Sequence, residues 1–171
     1  MIDREFYRQD SVSLARALVG KILVRRLPDG TELRLRITET EAYTGVDDTA
    51  CHAHRGRTPR TSVLYEEGGL AYLYLCYGIH HLLNVVTGSE GHPQAVLIRG
   101  IEGAIGPGRV TKSMGITTAL NREDLCTSRR LWLEDDGAPA PVFTVAPRVG
   151  IGYADPKDQK RLWRFIADVS T

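Results

Sequence analysis

The sequence predicts an α+β fold, a single compact domain over residues 1–171 organised by a mainly antiparallel sheet. Three observations carry this. Segments of strand composition outnumber helical ones. Successive strands are joined by short turns, which connect antiparallel neighbours, whereas parallel neighbours need long crossovers. Hydrophobic residues make up 42% of the chain and charged residues 25%, enough for a core without the bias of a disordered segment.

The elements follow in order. Ser11 to Val19 carries apolar positions at helical spacing (Val12, Leu14, Ala15, Leu18), with Asp10 or Ser11 as cap. Lys21 to Leu27 and Thr31 to Tyr43 read as strands around the turn Pro28-Asp29-Gly30. Leu70 to Cys76 is aromatic-rich and strand-like, Tyr77-Gly78-Ile79-His80 forms a tip, and Leu82 to Thr87 returns. Ala95 to Gly100 and Pro141 to Ala146 are further short strands. Asp155-Pro156 starts a helix and Leu162 to Ile166 closes the series.

No apolar run is long enough to span a bilayer, and Met1-Ile2-Asp3-Arg4-Glu5 is too charged to open a secretory signal. Three scattered cysteines, Cys51, Cys76 and Cys126, fit reduced thiols better than a disulfide framework. Net charge is only +1, so any basic surface is local. Arg55, Arg57 and Arg60 form one basic segment, and Arg99 to Arg130 holds six basic residues against three acidic. Eighteen arginines against four lysines fit phosphate binding and a compositional bias equally well.

Strand alternation places Leu33, Leu35, Ile37, Glu39, Glu41 and Tyr43 on one face, apolar at its start and acidic at its end. Either the core continues and perturbs the two carboxylates, or it stops at Ile37 and both are solvated. Alternation alone favours the second reading. At the hairpin tip, Tyr77 is either an edge tyrosine of an ordinary strand or a wedge for a base stack. Cys51-His52-Ala53-His54 with His80-His81 offers zinc-type side chains, but no Cys-x-x-Cys or His-Glu-x-x-His spacing, so no metal and no cofactor is expected. Gly106 to Lys112 lacks the Gly-Lys-Ser/Thr order of a nucleotide phosphate loop.

Eight motifs in sequence resemble the alkyladenine (3-methyladenine) DNA glycosylase family. They are Ile37-Thr38-Glu39-Thr40-Glu41-Ala42-Tyr43, Ala50-Cys51-His52, Arg57-Thr58-Pro59-Arg60, Tyr72-Leu73-Tyr74-Leu75-Cys76-Tyr77-Gly78, Leu83-Asn84-Val85, Val96-Leu97-Ile98-Arg99, Gly106-Pro107-Gly108-Arg109 and Arg148-Val149-Gly150-Ile151-Gly152. The resemblance runs from about Leu18 to Ile166. It implies a curved sheet with flanking short helices and a protruding hairpin. It also implies a monofunctional enzyme that flips alkylated purines from duplex DNA and hydrolyses their bond to deoxyribose.

By the same resemblance, Glu41 is the general base, and Arg99 and the main-chain carbonyl of Val149 help hold the attacking water. Tyr43, His52 and Tyr74 surround the flipped base, Asn84 screens purines sterically, and Tyr77 enters the duplex. Gly108, Arg109, Thr111 and Lys112 approach the DNA backbone, as do Arg57 and Arg60. Arg99 supplies the charge that keeps a buried Glu41 ionised. No lysine matches the site, so water rather than a Schiff base is the expected nucleophile. The implied partner is double-stranded DNA with damaged purines, met by a monomer in the cytoplasm at the nucleoid, with no membrane involved. The chain departs from many relatives in having only Gly100 to Ile105 between Arg99 and Gly106, in Arg109 where lysine is frequent, and in His80-His81 beside the tip. The competing class is a non-catalytic nucleic-acid-binding module using the same basic and aromatic surface.

Overall fold

A computed structural model describes residues 1–168. Asp10 caps α1 (Ser11–Leu18), its carboxylate accepting the Ser13 amide at 2.9 Å, a contact worth about 1 kcal/mol. Leu14, Ala15 and Leu18 are buried at the spacing the sequence predicted. Each such leucine contributes roughly 1.5–3 kcal/mol. The predicted hairpin of β1 (Ile22–Arg26) and β2 (Glu32–Tyr43) closes around Pro28-Asp29-Gly30, with the Leu27 amide donating to the Thr31 carbonyl at 2.8 Å.

β3 (Ala71–Cys76) and β4 (His80–Thr87) form the second hairpin. β5 (Gln94–Ile101) and β6 (Ala104–Ile105) form a tight third one, so the short Gly100–Ile105 segment leads straight into α2 (Pro107–Met114). Then come β7 (Leu131–Glu134), β8 (Phe143–Ala146), α3 (Pro156–Gln159) and β9 (Arg164–Ala167). All pairs are antiparallel. The main path runs β3-β4-β5-β2-β1-β7, and β9 joins β2 to β8, giving a curled sheet as expected. No helix among the described residues is long and apolar enough to cross a membrane.

Three of these elements had no sequence expectation: the two-residue β6, α2 and β7. α2 contains Gly108 and the β-branched Val110 and Thr111, poor helix formers. Pro107 at its first turn, Gly115 after its end and buried Val110 and Met114 four apart define it. β7 has four residues, too few to show a period, and exists through its pairing with β1.

β2 is the strand that positions the site. β5 lies along one edge of its second half and β9 along the other, while α1 covers one face, where Thr40 donates to the Ala15 carbonyl at 2.8 Å. The alternation expected along β2 fails at a bulge: its register against β5 shifts on both sides of Glu39. Ile37 and Ala42, of opposite parity, therefore both lie in the main core, together with the inner sides of Leu33 and Leu35. Tyr43 packs instead against two smaller clusters. Leu33, Leu35 and Ile37 do not share a face with Glu41 and Tyr43. Gly100 sits opposite the bulge, where a Cβ would lie 2.8 Å from Thr38 Oγ1 and 3.0 Å from Glu39 Cβ. No larger residue fits there without moving the bulge.

Candidate active site

Glu41 is fully buried, so the solvated reading that alternation favoured does not hold. Its two oxygens are held from two directions. The Tyr43 hydroxyl donates to Oε1 at 2.8 Å, and the Val149 amide donates to Oε2 at 2.7 Å. From β5, Arg99 Nε stands 3.8 Å from Glu41 Oε2 and 3.5 Å from Glu39 Oε1. Arg99 Nε is buried without a hydrogen-bond partner among the described residues, so its interaction with both carboxylates is one of charge. Glu39 is anchored by Arg164 of β9, whose Nη1 donates to Oε1 at 2.9 Å.

Burial pushes the Glu41 carboxyl above the ordinary glutamate range, while Arg99, the Val149 amide, the Tyr43 hydroxyl and Arg148 pull it back. The net direction is upward. The expectation that Arg99 offsets burial thus holds for its sign, but Arg99 does not cancel burial.

Tyr43, His52, Tyr74 and Asn84 line one recess, completed by Ala50, Cys51, Leu64, Tyr72, Ala95 and Tyr153. The His52 and Tyr74 ring centres lie 4.6 Å apart, and Tyr72 packs on Tyr74 at 5.3 Å. His52 Nδ1 pairs with the Tyr72 hydroxyl at 2.8 Å, and its pKa is pushed down to about 4, by burial first and then by Arg60 and Arg55. The imidazole is neutral at pH 7. Buried Asn84 is fixed by its amide, which donates to the Tyr72 carbonyl at 3.3 Å. The arrangement is an aromatic slot beside a carboxylate.

β3 carries Tyr72 and Tyr74 in that slot, and the turn after it begins with Tyr77, which is 92% exposed. The Ile79 amide donates to the Cys76 carbonyl at 3.2 Å, closing a turn in which Tyr77 has φ 53° and Gly78 φ 69°. A tyrosine in the left-handed region costs about 1–2 kcal/mol. An exposed aromatic side chain held in a strained backbone is the pattern of a functional position.

Arg109 and Lys112 are exposed on α2, and Arg57 and Arg60 are exposed between β2 and β3. Arg57 lies over Tyr65 at 5.2 Å and Arg60 over Tyr74 at 4.9 Å. Gly108 is where α2 meets the hairpin, since a Cβ there would lie 2.9 Å from His80 Nδ1. Thr111 is buried, and its hydroxyl donates to the His81 carbonyl at 2.6 Å. It ties α2 to the hairpin instead of facing outward with Arg109 and Lys112.

Two of the histidines considered for zinc are held by other partners: His54 Nδ1 contacts the Val46 carbonyl, and His52 contacts Tyr72. Among the described residues, no three His, Cys, Asp or Glu side chains gather as a metal site.

Sequence reasoning missed a second buried constellation. Arg148, with a fully buried side chain, donates from Nη1 and Nη2 to the two oxygens of Asp48 at 2.6 and 2.9 Å. It also donates to the carbonyls of Ala42 at 3.0 Å and Asp158 at 3.2 Å. Its guanidinium carbon lies 4.9 Å from the Tyr43 ring centre and 5.0 Å from that of Trp163. The available signal was a charged residue opening the Arg148-Val149-Gly150-Ile151-Gly152 motif.

The chain matches the family profile described as methylpurine-DNA glycosylase over residues 5–105 and 102–171. Among curated proteins it is similar to three that carry the provisional name 3-methyladenine DNA glycosylase. That of Methanocella arvoryzae is 43% identical, over 96% of this chain and 91% of its own length. That of Borreliella afzelii is 40% identical, over 98% and 96%. That of Anaeromyxobacter dehalogenans is 43% identical, over 96% and 82%.

Proposed function

The chain belongs to the methylpurine-DNA glycosylase family, and on that premise we propose that it releases methylated purines from duplex DNA by hydrolysis, with Glu41 as the base that activates water. The observation that carries this reading is the buried Glu41 carboxylate, fixed at both oxygens, beside a slot of tyrosine and histidine rings.

The damaged nucleotide leaves the stack and its base enters the slot between Tyr43, His52 and Tyr74. Extrusion costs a few kcal/mol, less where pairing is already impaired. Ring-methylated purines that carry positive charge stack on the electron-rich tyrosine faces. The glycosidic bond breaks with its electron pair going to the base, which neutralises a cationic purine, and positive charge builds on the sugar. The Glu41 carboxylate stabilises that charge. As the water oxygen bonds to the anomeric carbon, Glu41 takes a water proton. The products are the free base and an abasic site. Arg99 and the Val149 carbonyl orient the water, and Asn84 narrows the slot against undamaged purines. Tyr77 fills the gap left in the duplex, while Arg57, Arg60, Arg109 and Lys112 meet phosphates.

The test is base release from duplex oligonucleotides, each bearing one lesion: 7-methylguanine, 3-methyladenine, hypoxanthine or ethenoadenine. Glu41→Gln is expected to bind lesion-bearing duplex but to lose about 10²- to 10⁴-fold in release rate. Undiminished release by Glu41→Gln would leave only a binding module with some other catalytic group. Borohydride is expected to trap no covalent complex with DNA, because the nucleophile is water.

A further inference from the structure

Glu41 owes both of its hydrogen-bond donors to one place. The Tyr43 hydroxyl that reaches Oε1 belongs to a ring whose face rests on the Arg148 guanidinium. The amide that reaches Oε2 belongs to Val149, the residue directly after Arg148. Arg148 is itself immobilised by the two oxygens of Asp48, by the carbonyls of Ala42 and Asp158, and by a second ring, Trp163, 5.0 Å from its guanidinium carbon. Asp48 is held in turn by the Thr44 and Ala50 amides, each donating at 3.1 Å. Two stretches of chain remote from it in sequence, 42–48 and 158–163, converge on this one cation.

We propose that Arg148, clamped by Asp48 and Trp163, is a positioning residue for Glu41: it sets the Tyr43 ring and the Val149 amide so that both donors meet the carboxylate and keep it ionised. This rests on the reading of Glu41 as the base. A bidentate guanidinium in contact with two rings fixes orientation as well as charge, which an ammonium cannot reproduce. A cation on the Tyr43 face also favours donation by the phenol, so the ring passes the effect of Arg148 to Oε1. A purely structural buried ion pair needs no contact with Tyr43 and no adjacency to a catalytic donor. Here both occur, one for each carboxylate oxygen.

The charged and titratable groups around Glu41 are Glu39 and Tyr43 of β2, Arg99 of β5, Arg164 of β9 (through Glu39), Tyr153, and Arg148 with its partner Asp48. Of the three cations, Arg99 acts by charge alone at 3.8 Å, and Arg164 is paired with Glu39. Only Arg148 governs the hydrogen bonds to Glu41 as well as contributing charge. Its loss should therefore favour the protonated, inactive form of Glu41 over the ionised one.

The experiment is the pH profile of single-turnover methylpurine release from duplex DNA methylated with radiolabelled dimethyl sulfate. It uses the full chain, with lesion-DNA binding measured in parallel. Arg148→Met is expected to move the acid limb upward by about one pH unit, which is about tenfold in rate below the limb. Activity should recover at alkaline pH. Arg148→Lys, which restores charge without the fork, should recover part of the shift. Trp163→Leu removes one of the two ring contacts of the guanidinium without changing charge, and it should shift the limb in the same direction by a smaller amount. It also carries the test if Arg148→Met does not fold. A uniform loss of amplitude with an unmoved limb in these variants would overturn the proposal, because a merely structural ion pair lowers the active fraction equally at every pH. Glu41→Gln separates the two ideas. If it keeps base release, the reading of Glu41 fails whatever Arg148 does; if it is inactive while the limb stays fixed in the Arg148 variants, only the positioning role fails.

Discussion

The Tyr43 hydroxyl reaches the Glu41 carboxylate across 2.8 Å, although the two residues lie two positions apart on one strand. Positions i and i+2 share a face of a strand, so β2 supplies both the carboxylate and one of its donors without a loop between them. Burial and the Glu41 charge push the phenol pKa well above its usual value. Tyr43 therefore stays protonated, and a donor, at neutral pH.

Base release should depend on pH through Glu41. Burial raises its pKa, and the reactive form is the carboxylate, so activity is expected to fall as pH is lowered through a midpoint above the ordinary glutamate value of 4.5. Single-turnover release from methylated duplex DNA between pH 4.5 and 9 checks this. A rate that stays level down to pH 4.5 would contradict it.

Stability should carry the mark of His52. Its pKa in the folded protein is about 4 against 6.5 for an exposed histidine. Between those values the unfolded chain binds a proton that the folded chain does not, so stability present at pH 7 is lost as pH falls from 6.5 towards 4. The difference is 2.5 pH units, and at pH 4.5 it amounts to about 2–3 kcal/mol. Urea unfolding at pH 7 and pH 4.5 should show a smaller drop for His52→Gln than for the unsubstituted protein. Equal drops would assign the loss to other groups.

Tyr77→Gly should separate flipping from folding. The side chain is 92% exposed and its φ is 53°, so glycine removes strain and little packing. The melting temperature is expected to stay level or rise, while release from duplex falls and release from single strands changes less. A melting temperature lowered by several degrees would mean that the tip is structural.

Asp48→Ala should be severe. It leaves the buried Arg148 charge without its carboxylate, a loss of about 3–5 kcal/mol. Denaturant unfolding measures it directly; a loss below about 1 kcal/mol would indicate that water or Glu41 takes over the pairing.

Much of the fold is legible without coordinates because its signals are local. The Asp10 cap, the Pro28-Asp29-Gly30 turn and the aromatic strand leading to the Tyr77 tip lie within a few residues of the elements they specify. α2 and β7 were not legible. The first has unfavourable intrinsic propensity and is stabilised by burying Val110 and Met114, and the second is four residues whose pairing partner lies more than 100 positions away.

The candidate site divides in the same way. By itself the sequence determined which residue types are present and in what order: two carboxylates before a tyrosine on one strand, an aromatic hairpin, and an arginine at the end of an apolar strand. Only the tertiary structure decided that Glu41 is dry, because a bulge at Glu39 breaks the alternation and strands run along both edges of β2. It alone decided that Arg148 joins Asp48, 100 residues distant, beneath Tyr43. Alternation and propensity extend over a handful of residues. Burial and charge pairing are set by whatever the folded chain brings alongside, and that is fixed by packing.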